Sequence, residues 1–269
     1  MKFPVGIFDS GIGGLTVLKE IRREIPGEDI VYFGDTARLP YGSKSKETIT
    51  KFSIENIEFL QSLDTKMVVV ACNTASSLSL SVLKEKFSIP IIGVIEPGAK
   101  QAVAKTKNGC VGVIGTKATI GSGSYEACLK RLDPQVKVYS ESCPLFVPFV
   151  EEGWLEGSVV ENVASIYLEP LKSFGIDTLI LGCTHYPLLR KVIQKRMGPK
   201  VLLVNSAEET AKEARELLEK SKNLSSRKEA EGQVRFYVSD EPEPFRVLGE
   251  RFLGESIQSV AKVPDYVRN

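Results

Sequence analysis

Short runs rich in Val, Ile, Leu and Phe recur along the chain, each closing on small or polar residues and leading into a longer stretch with helical spacing of apolar positions. The runs predict strands at 4–8, 29–33, 67–71, 91–95, 111–115, 136–139, 178–182, 201–204 and 234–238. The stretches between them predict helices at 15–24, 46–62, 76–86, 125–132, 159–174, 187–196 and 208–222. Strand-then-helix alternation builds parallel sheets with helices packed on both faces, so the expected fold class is α/β. Residues 221–232, with Asn223, Ser225, Ser226 and several charges but no apolar face, read as a solvated helix tail or loop.

The pattern also repeats. Val68-Val69-Val70-Ala71-Cys72-Asn73-Thr74 is echoed 111 residues later by Leu179-Ile180-Leu181-Gly182-Cys183-Thr184-His185. Val5-Gly6-Ile7-Phe8-Asp9-Ser10 is echoed 106 residues later by Val111-Gly112-Val113-Ile114-Gly115-Thr116. Two near-equal offsets in the same order predict two similar α/β halves; solenoid repeats would be far shorter. A chain of 269 residues can bury one large core or two modest ones.

Composition narrows the function. Apolar residues at 42% and charged ones at 26% describe a globular protein and exclude general disorder. A net charge of +1 without a basic run gives no source of attraction for a nucleic-acid backbone. The longest apolar stretches, 67–72 and 89–95, are about a third of a membrane span. The first nine residues lack a signal-peptide apolar region, so a soluble, cytoplasmic protein with no membrane partner is expected. Cys72, Cys110, Cys128, Cys143 and Cys183 form an odd, widely spaced set without a C-x-x-C pair, which speaks for a reducing compartment and against a disulfide framework or zinc site.

In open parallel sheets, ligands sit beyond the carboxyl ends of the strands. Asp9-Ser10, Gly34-Asp35, Cys72-Asn73-Thr74, Gly115-Thr116 and Cys183-Thr184-His185 all fall at such ends. Gly11-Ile12-Gly13-Gly14 resembles a dinucleotide loop, but the fingerprint needs glycine where Thr16 stands. A backbone approach to a small anion and a plain tight turn both remain open for this loop. A lone buried cysteine is commonly a packing residue, which is the reading for Cys110, Cys128 and Cys143. Cys72 and Cys183 differ through their matched positions past a strand and before a helix, where the helix N-terminus favours thiolate. His185, the only histidine, is an acid, base or charge partner for Cys183 or else a structural cap. Asp9 and Glu152 are candidate orienting carboxylates, with an N-cap and a solvated surface charge as their ordinary alternatives.

Two thiols facing each other across a cleft suit inversion of a carbon stereocentre. One removes a proton from one face while the other returns a proton to the opposite face, and the roles exchange in the reverse direction. No lysine lies in a Schiff-base-like motif and no ligand spacing makes a metal site, so no cofactor is expected.

Five separated motifs carry a resemblance across nearly the whole chain: Phe8-Asp9-Ser10-Gly-x-Gly13-Gly14-Leu15-Thr16, Asp35, Pro40-Tyr41-Gly42, Ala71-Cys72-Asn73-Thr74-Ala75 and Leu181-Gly182-Cys183-Thr184-His185-Tyr186-Pro187. Together they resemble the glutamate racemases of the cofactor-independent aspartate/glutamate racemase superfamily. The resemblance implies two pseudo-symmetric lobes, residues 1–97 with 208–269 and residues 98–207, with the active site between them. It implies Cys72 and Cys183 as acid/base thiols, Cys72 serving D-glutamate and Cys183 L-glutamate, supported by Asp9, Glu152 and His185. Substrate contacts would come from Asp9, Ser10, Tyr41, Gly42, Asn73, Thr74, Thr116, Thr184 and His185. It further implies neither pyridoxal phosphate nor metal, a cytoplasmic role in supplying D-glutamate for peptidoglycan, and a homodimer of unspecified face. An aspartate-specific sibling, a Cys183–His185 hydrolase or transferase, and a two-lobed amino-acid binding protein are the competing readings.

Overall fold

The computed structural model describes residues 3–225 and 231–263. Among the described residues are ten strands: β1 Val5–Asp9, β2 Ile30–Gly34, β3 Met67–Val70, β4 Ile91–Gly93, β5 Cys110–Gly115, β6 Lys137–Ser142, β7 Thr178–Gly182, β8 Leu202–Val204, β9 Val234–Val238 and β10 Val260–Lys262. Eleven α-helices lie among them: α1 Leu15–Glu24, α2 Lys46–Gln61, α3 Asn73–Lys86, α4 Ile95–Lys105, α5 Lys117–Gly121, α6 Ser124–Leu132, α7 Phe146–Glu151, α8 Ser158–Ser173, α9 Arg190–Met197, α10 Ser206–Lys220 and α11 Pro242–Leu253.

The strands form two sheets, each wholly parallel. The first has the order β10-β9-β2-β1-β3-β4 and the second β6-β5-β7-β8. The run β2-β1-β3-β4 is thus repeated as β6-β5-β7-β8, which puts β1 opposite β5 in the scheme and the cysteine-bearing β3 opposite β7. The sequence echoes fall on these same pairs. β1, β2, β3 and β7 are buried along their whole length, which explains why they read as continuous apolar runs and not as alternating ones.

Residues of one core cluster reach from Val5 and Ile7 of the first sheet to Leu179 and Leu181 of the second, through Ala207, Ala211 and Ala214 of α10. These small side chains let α10 lie close to both α1 and α4. The boundaries expected at 97/98 and 207/208 fall inside α4 and α10, so the chain passes between the two sheets within helices.

The expected strands and helices recur with shifts of a few residues at their ends, and the additions have physical causes. α4 carries Pro97 and Gly98 in its first turn, α7 carries Pro148, and α11 opens on Pro242 and Pro244. Proline is tolerated in the first turn of a helix, where its missing N–H has no intrahelical partner to lose, yet the same residues read locally as turns. The expected helix at 187–196 is divided into a 3-10 turn, Tyr186–Leu189, and α9. Residues 226–230 of the expected solvated stretch lie outside the described residues. On either side of them, Ser225 N–H donates to Glu28 and Gly232 N–H to the Pro26 carbonyl (2.7 Å). No helix among the described residues is long and apolar enough to cross a membrane.

Candidate active site

Where the carboxyl ends of the two sheets meet, a cavity of about 450 Å³ is lined from both sides. Ser10, Tyr41, Gly42, Cys72, Asn73 and Thr74 line it from the first sheet's loops, and Thr116, Cys183, Thr184 and His185 from the second's. All but two of the residues expected at the site therefore border one space. Asp9 lies beneath the lining, fully buried at the end of β1, and Glu152 lies outside it. Leu39, Pro40, Pro144, Val147 and Pro148 add an apolar wall, and exposed Lys117 stands at the rim.

Cys72 and Cys183 reach the cavity by equivalent routes. β3 ends at Val70, and Cys72 then caps α3, its carbonyl accepting from Ser76 N–H at 2.8 Å. β7 ends at Gly182, and the Cys183 carbonyl accepts from Tyr186 N–H at 3.1 Å as the 3-10 turn begins. Cys72 and Cys183 are 5% and 6% exposed, so both lie largely away from bulk water.

Their surroundings differ, and one expectation needs correction. Burial pushes the Cys72 thiol up to about 12, and the charge of Asp9 pushes the same way; the Ala75 N–H and the Ser10 hydroxyl oppose this only weakly. The helix N-terminus was expected to favour thiolate, but desolvation without a neighbouring cation wins at Cys72. Cys183 has a cation at hand: its Sγ lies 3.9 Å from His185 Nδ1, while His185 Nε2 lies 3.0 Å from Glu151 Oε1. Burial disfavours a charged imidazole, but the hydrogen bonds and charges of Cys183 and Glu151 outweigh it and raise the His185 pKa to about 10.

Glu151, and not Glu152, is therefore the carboxylate that meets the histidine, and Glu152 is exposed. The cause is helical register. Val147, Pro148 and Glu151 of α7 share the face toward the cavity, and one further residue turns Glu152 away. The i, i+4 relation of Val147 to Glu151 is a sequence signal for this, hidden by the prolines that disguise the helix. In Glu151→Gln the imidazolium loses its carboxylate partner. His185 should then lose its proton at lower pH, read from its ring-proton NMR shifts, whereas Glu152→Gln should leave its titration in place. Paired titrations of the two variants check this.

Asp9 Oδ2 accepts from Gly11 N–H at 3.0 Å, while Oδ1 has no hydrogen-bond partner among the described residues. Burial raises its pKa; the His185 charge and the N–H dipoles of Gly11, Gly14 and Ser10 counteract this. The glycine loop above it answers the question the sequence left open. A Cβ on Gly13 would stand 2.2 Å from Thr184 Oγ1 and 2.5 Å from His185 Nδ1. Gly13 is bare because the second half of the molecule presses against it and Gly14 because the Asp9 and Tyr32 side chains do, and Thr16 Oγ1 adds a hydrogen bond to the Thr184 carbonyl at 3.1 Å.

The loop carrying Tyr41 and Gly42 is held from behind. The Tyr41 hydroxyl donates to Asp35 and accepts from Asn56 Nδ2 at 3.1 Å, so it is committed away from the cavity. Arg38 Nε donates to Asp35 Oδ2 at 2.7 Å, its guanidinium also meets Glu55 and Asn56, and it stacks 4.2 Å from the Phe52 ring centroid. Ser239, just past β9, donates to Asp35 Oδ1 at 2.9 Å and accepts from Ala37 N–H at 2.9 Å. Across the cleft, the hydroxyls of Thr74 and Thr116 are 3.0 Å apart. No cluster of three or more His, Cys, Asp or Glu among the described residues could hold a metal ion.

A model of the Asp/Glu/hydantoin racemase family matches residues 9–214. The chain belongs to this family. A glutamate racemase of Geobacter metallireducens is 52% identical over 259 residues, covering 96% of each protein. The crystal structure of a glutamate racemase from Bacillus anthracis has a TM-score of 0.94 to this chain at 44% identity, over 97% of both. That of the Francisella tularensis glutamate racemase in complex with D-glutamate gives 0.91 at 41% identity, over 98% of both. Within the racemase family, then, the likeness to glutamate racemases extends over nearly the full chain.

Proposed function

We propose that the protein interconverts L- and D-glutamate by proton transfer at the α-carbon between Cys72 and Cys183. The observation that carries this is the entry of two buried cysteines into one cavity from equivalent strand ends of two repeated sheets. The glutamate racemases that match over nearly the full chain, one of them crystallised with D-glutamate, support the choice of substrate.

A thiolate takes the α-proton from one face, and the opposed thiol gives a proton to the other. One S–H bond forms, one breaks, and the carbon is inverted. An ordinary thiol is far less basic than the carbanion it must generate, so the site has to supply the difference by positioning, water exclusion and donors aimed at the developing charge. Ser10, Asn73, Thr74 and Thr184 provide such donors around the α-carboxylate, with Tyr41, Gly42 and Thr116 completing the pocket. Asp9, fully buried beneath the lining with one oxygen unpartnered among the described residues, bears by its charge on Cys72 and His185 and so supports the site from behind the pocket. The His185–Glu151 pair places positive charge beside Cys183, which suits that sulfur as the base toward L-glutamate, while protonated Cys72 is ready as the acid.

By the same resemblance we propose two lobes, 1–97 with 208–269 and 98–207, a cytoplasmic homodimer, and supply of D-glutamate to peptidoglycan. The test of the central claim is direct. Purified protein, dialysed against chelator and treated with carbonyl reagents, is expected to racemise glutamate at its full rate from either enantiomer, followed by circular dichroism. Activity recovered only on adding pyridoxal phosphate or a divalent ion would refute it.

A further inference from the structure

Tyr125 does not line the cavity, yet it touches the neighbours of both thiols. It is the second residue of α6 and 3% exposed. Its hydroxyl accepts from Asn73 Nδ2 at 2.9 Å, and Asn73 directly follows Cys72. Its ring lies against Gly182, which directly precedes Cys183: a Cβ on Gly182 would come within 3.0 Å of Tyr125 Cε2. One stiff aromatic side chain thus spans from the start of α3 to the end of β7.

The span is firmly held. The ring packs in a cluster with Ala99, Val113 and Ile180. One residue earlier, Ser124 Oγ donates to the Ser77 carbonyl of α3 at 2.7 Å, a bond between the two helices that touches neither Asn73 nor Gly182. Burial raises the phenol above its usual range, so it stays neutral at ordinary pH, and it does not border the cavity.

We infer that Tyr125 is a positioning residue that sets the separation of the two sulfurs, its ring bearing on the Cys183 segment and its hydroxyl holding the Cys72 segment. The inference rests on the two-thiol reading above. Inversion needs both sulfurs within reach of one carbon on opposite faces, while deprotonation from a single face needs only one. A fixed spacer therefore matters to the first reaction far more than to the second.

The test compares two activities of Tyr125→Phe in one preparation. The first is glutamate racemisation. The second is elimination from a glutamate analogue bearing chloride on the β-carbon, in which one thiolate takes the α-proton, the C–Cl electron pair leaves as chloride and a C=C bond forms. Their ratio does not depend on the fraction of protein folded. Racemisation is expected to fall at least about tenfold from either enantiomer while elimination changes by less than about threefold, since misplacement of the order of 1 Å can cost about a hundredfold. Ser124→Ala, which removes only the adjoining bond between α6 and α3, is expected to keep the wild-type ratio. An unchanged ratio in Tyr125→Phe, or an equal change in Ser124→Ala, overturns the inference while wild-type racemisation stands. Wild-type protein that failed to racemise glutamate would remove the two-thiol reading and this inference together.

Discussion

Cys72→Ala and Cys183→Ala are each expected to lose racemisation by about 10²–10⁴-fold or more, the range for removing a general acid or base. Each should still eliminate from one enantiomer of a β-chloro glutamate analogue and fail with its mirror image. Cys72→Ala should act on the L-analogue through Cys183, and Cys183→Ala on the D-analogue through Cys72. The reversed preference is the informative part, because loss of racemisation alone would also follow from misfolding. Product release of chloride from both enantiomers of both variants gives the measurement. Equal elimination from both enantiomers by both variants would mean a single mobile base, with His185 as the obvious candidate, and would end the two-thiol mechanism.

Gly13→Ala is expected to be nearly as damaging, although glycine itself does no chemistry. Its new methyl would have to displace Thr184 or His185, from which it would stand 2.2 and 2.5 Å. The His185 ring is anchored to Glu151, and the Thr184 backbone to Thr16, so making room for the methyl disturbs the neighbourhood of Cys183. Overpacking of this kind costs about 1–3 kcal/mol of stability. The effect on kcat/KM should be larger, roughly a hundredfold, because reacting groups shift by a substantial fraction of an ångström. Gly121→Ala, where an added Cβ meets nothing within 4 Å, is the comparison and should behave as wild type. A Gly13→Ala enzyme with wild-type kcat/KM would show that the two halves do not need this close contact.

The thiols were legible in the sequence because each ends a buried strand and is followed by polar residues, and because that unit occurs twice. The sheets were legible because continuous apolar runs have few alternatives to buried parallel strands. Other features depend on contacts that no local pattern encodes. The bareness of Gly13 is dictated by Thr184 and His185, more than 170 residues away along the chain. Glu151 and Glu152 are indistinguishable until α7 exists to set which one faces inward. α4 and α11 are obscured by prolines whose tolerance depends on standing in a first turn. Tyr125 reads as one more apolar helix residue, since its two partners lie on segments that only the packed sheets bring together.

The place of β9 beside β2 sets an order of assembly during synthesis. The second sheet is made from a contiguous stretch, β5 to β8, and has all its strands once residue 204 has emerged. The first sheet begins with β1, made well before β5, but β2 keeps an open edge until residues 234–238 arrive. Ser239, which ties down Asp35 and Ala37, is made just after them. Of the two sheets, the one begun earlier is therefore the one finished later, and a growing chain carries all the strands of the second sheet well before the loop of Tyr41 and Gly42 receives its final tie.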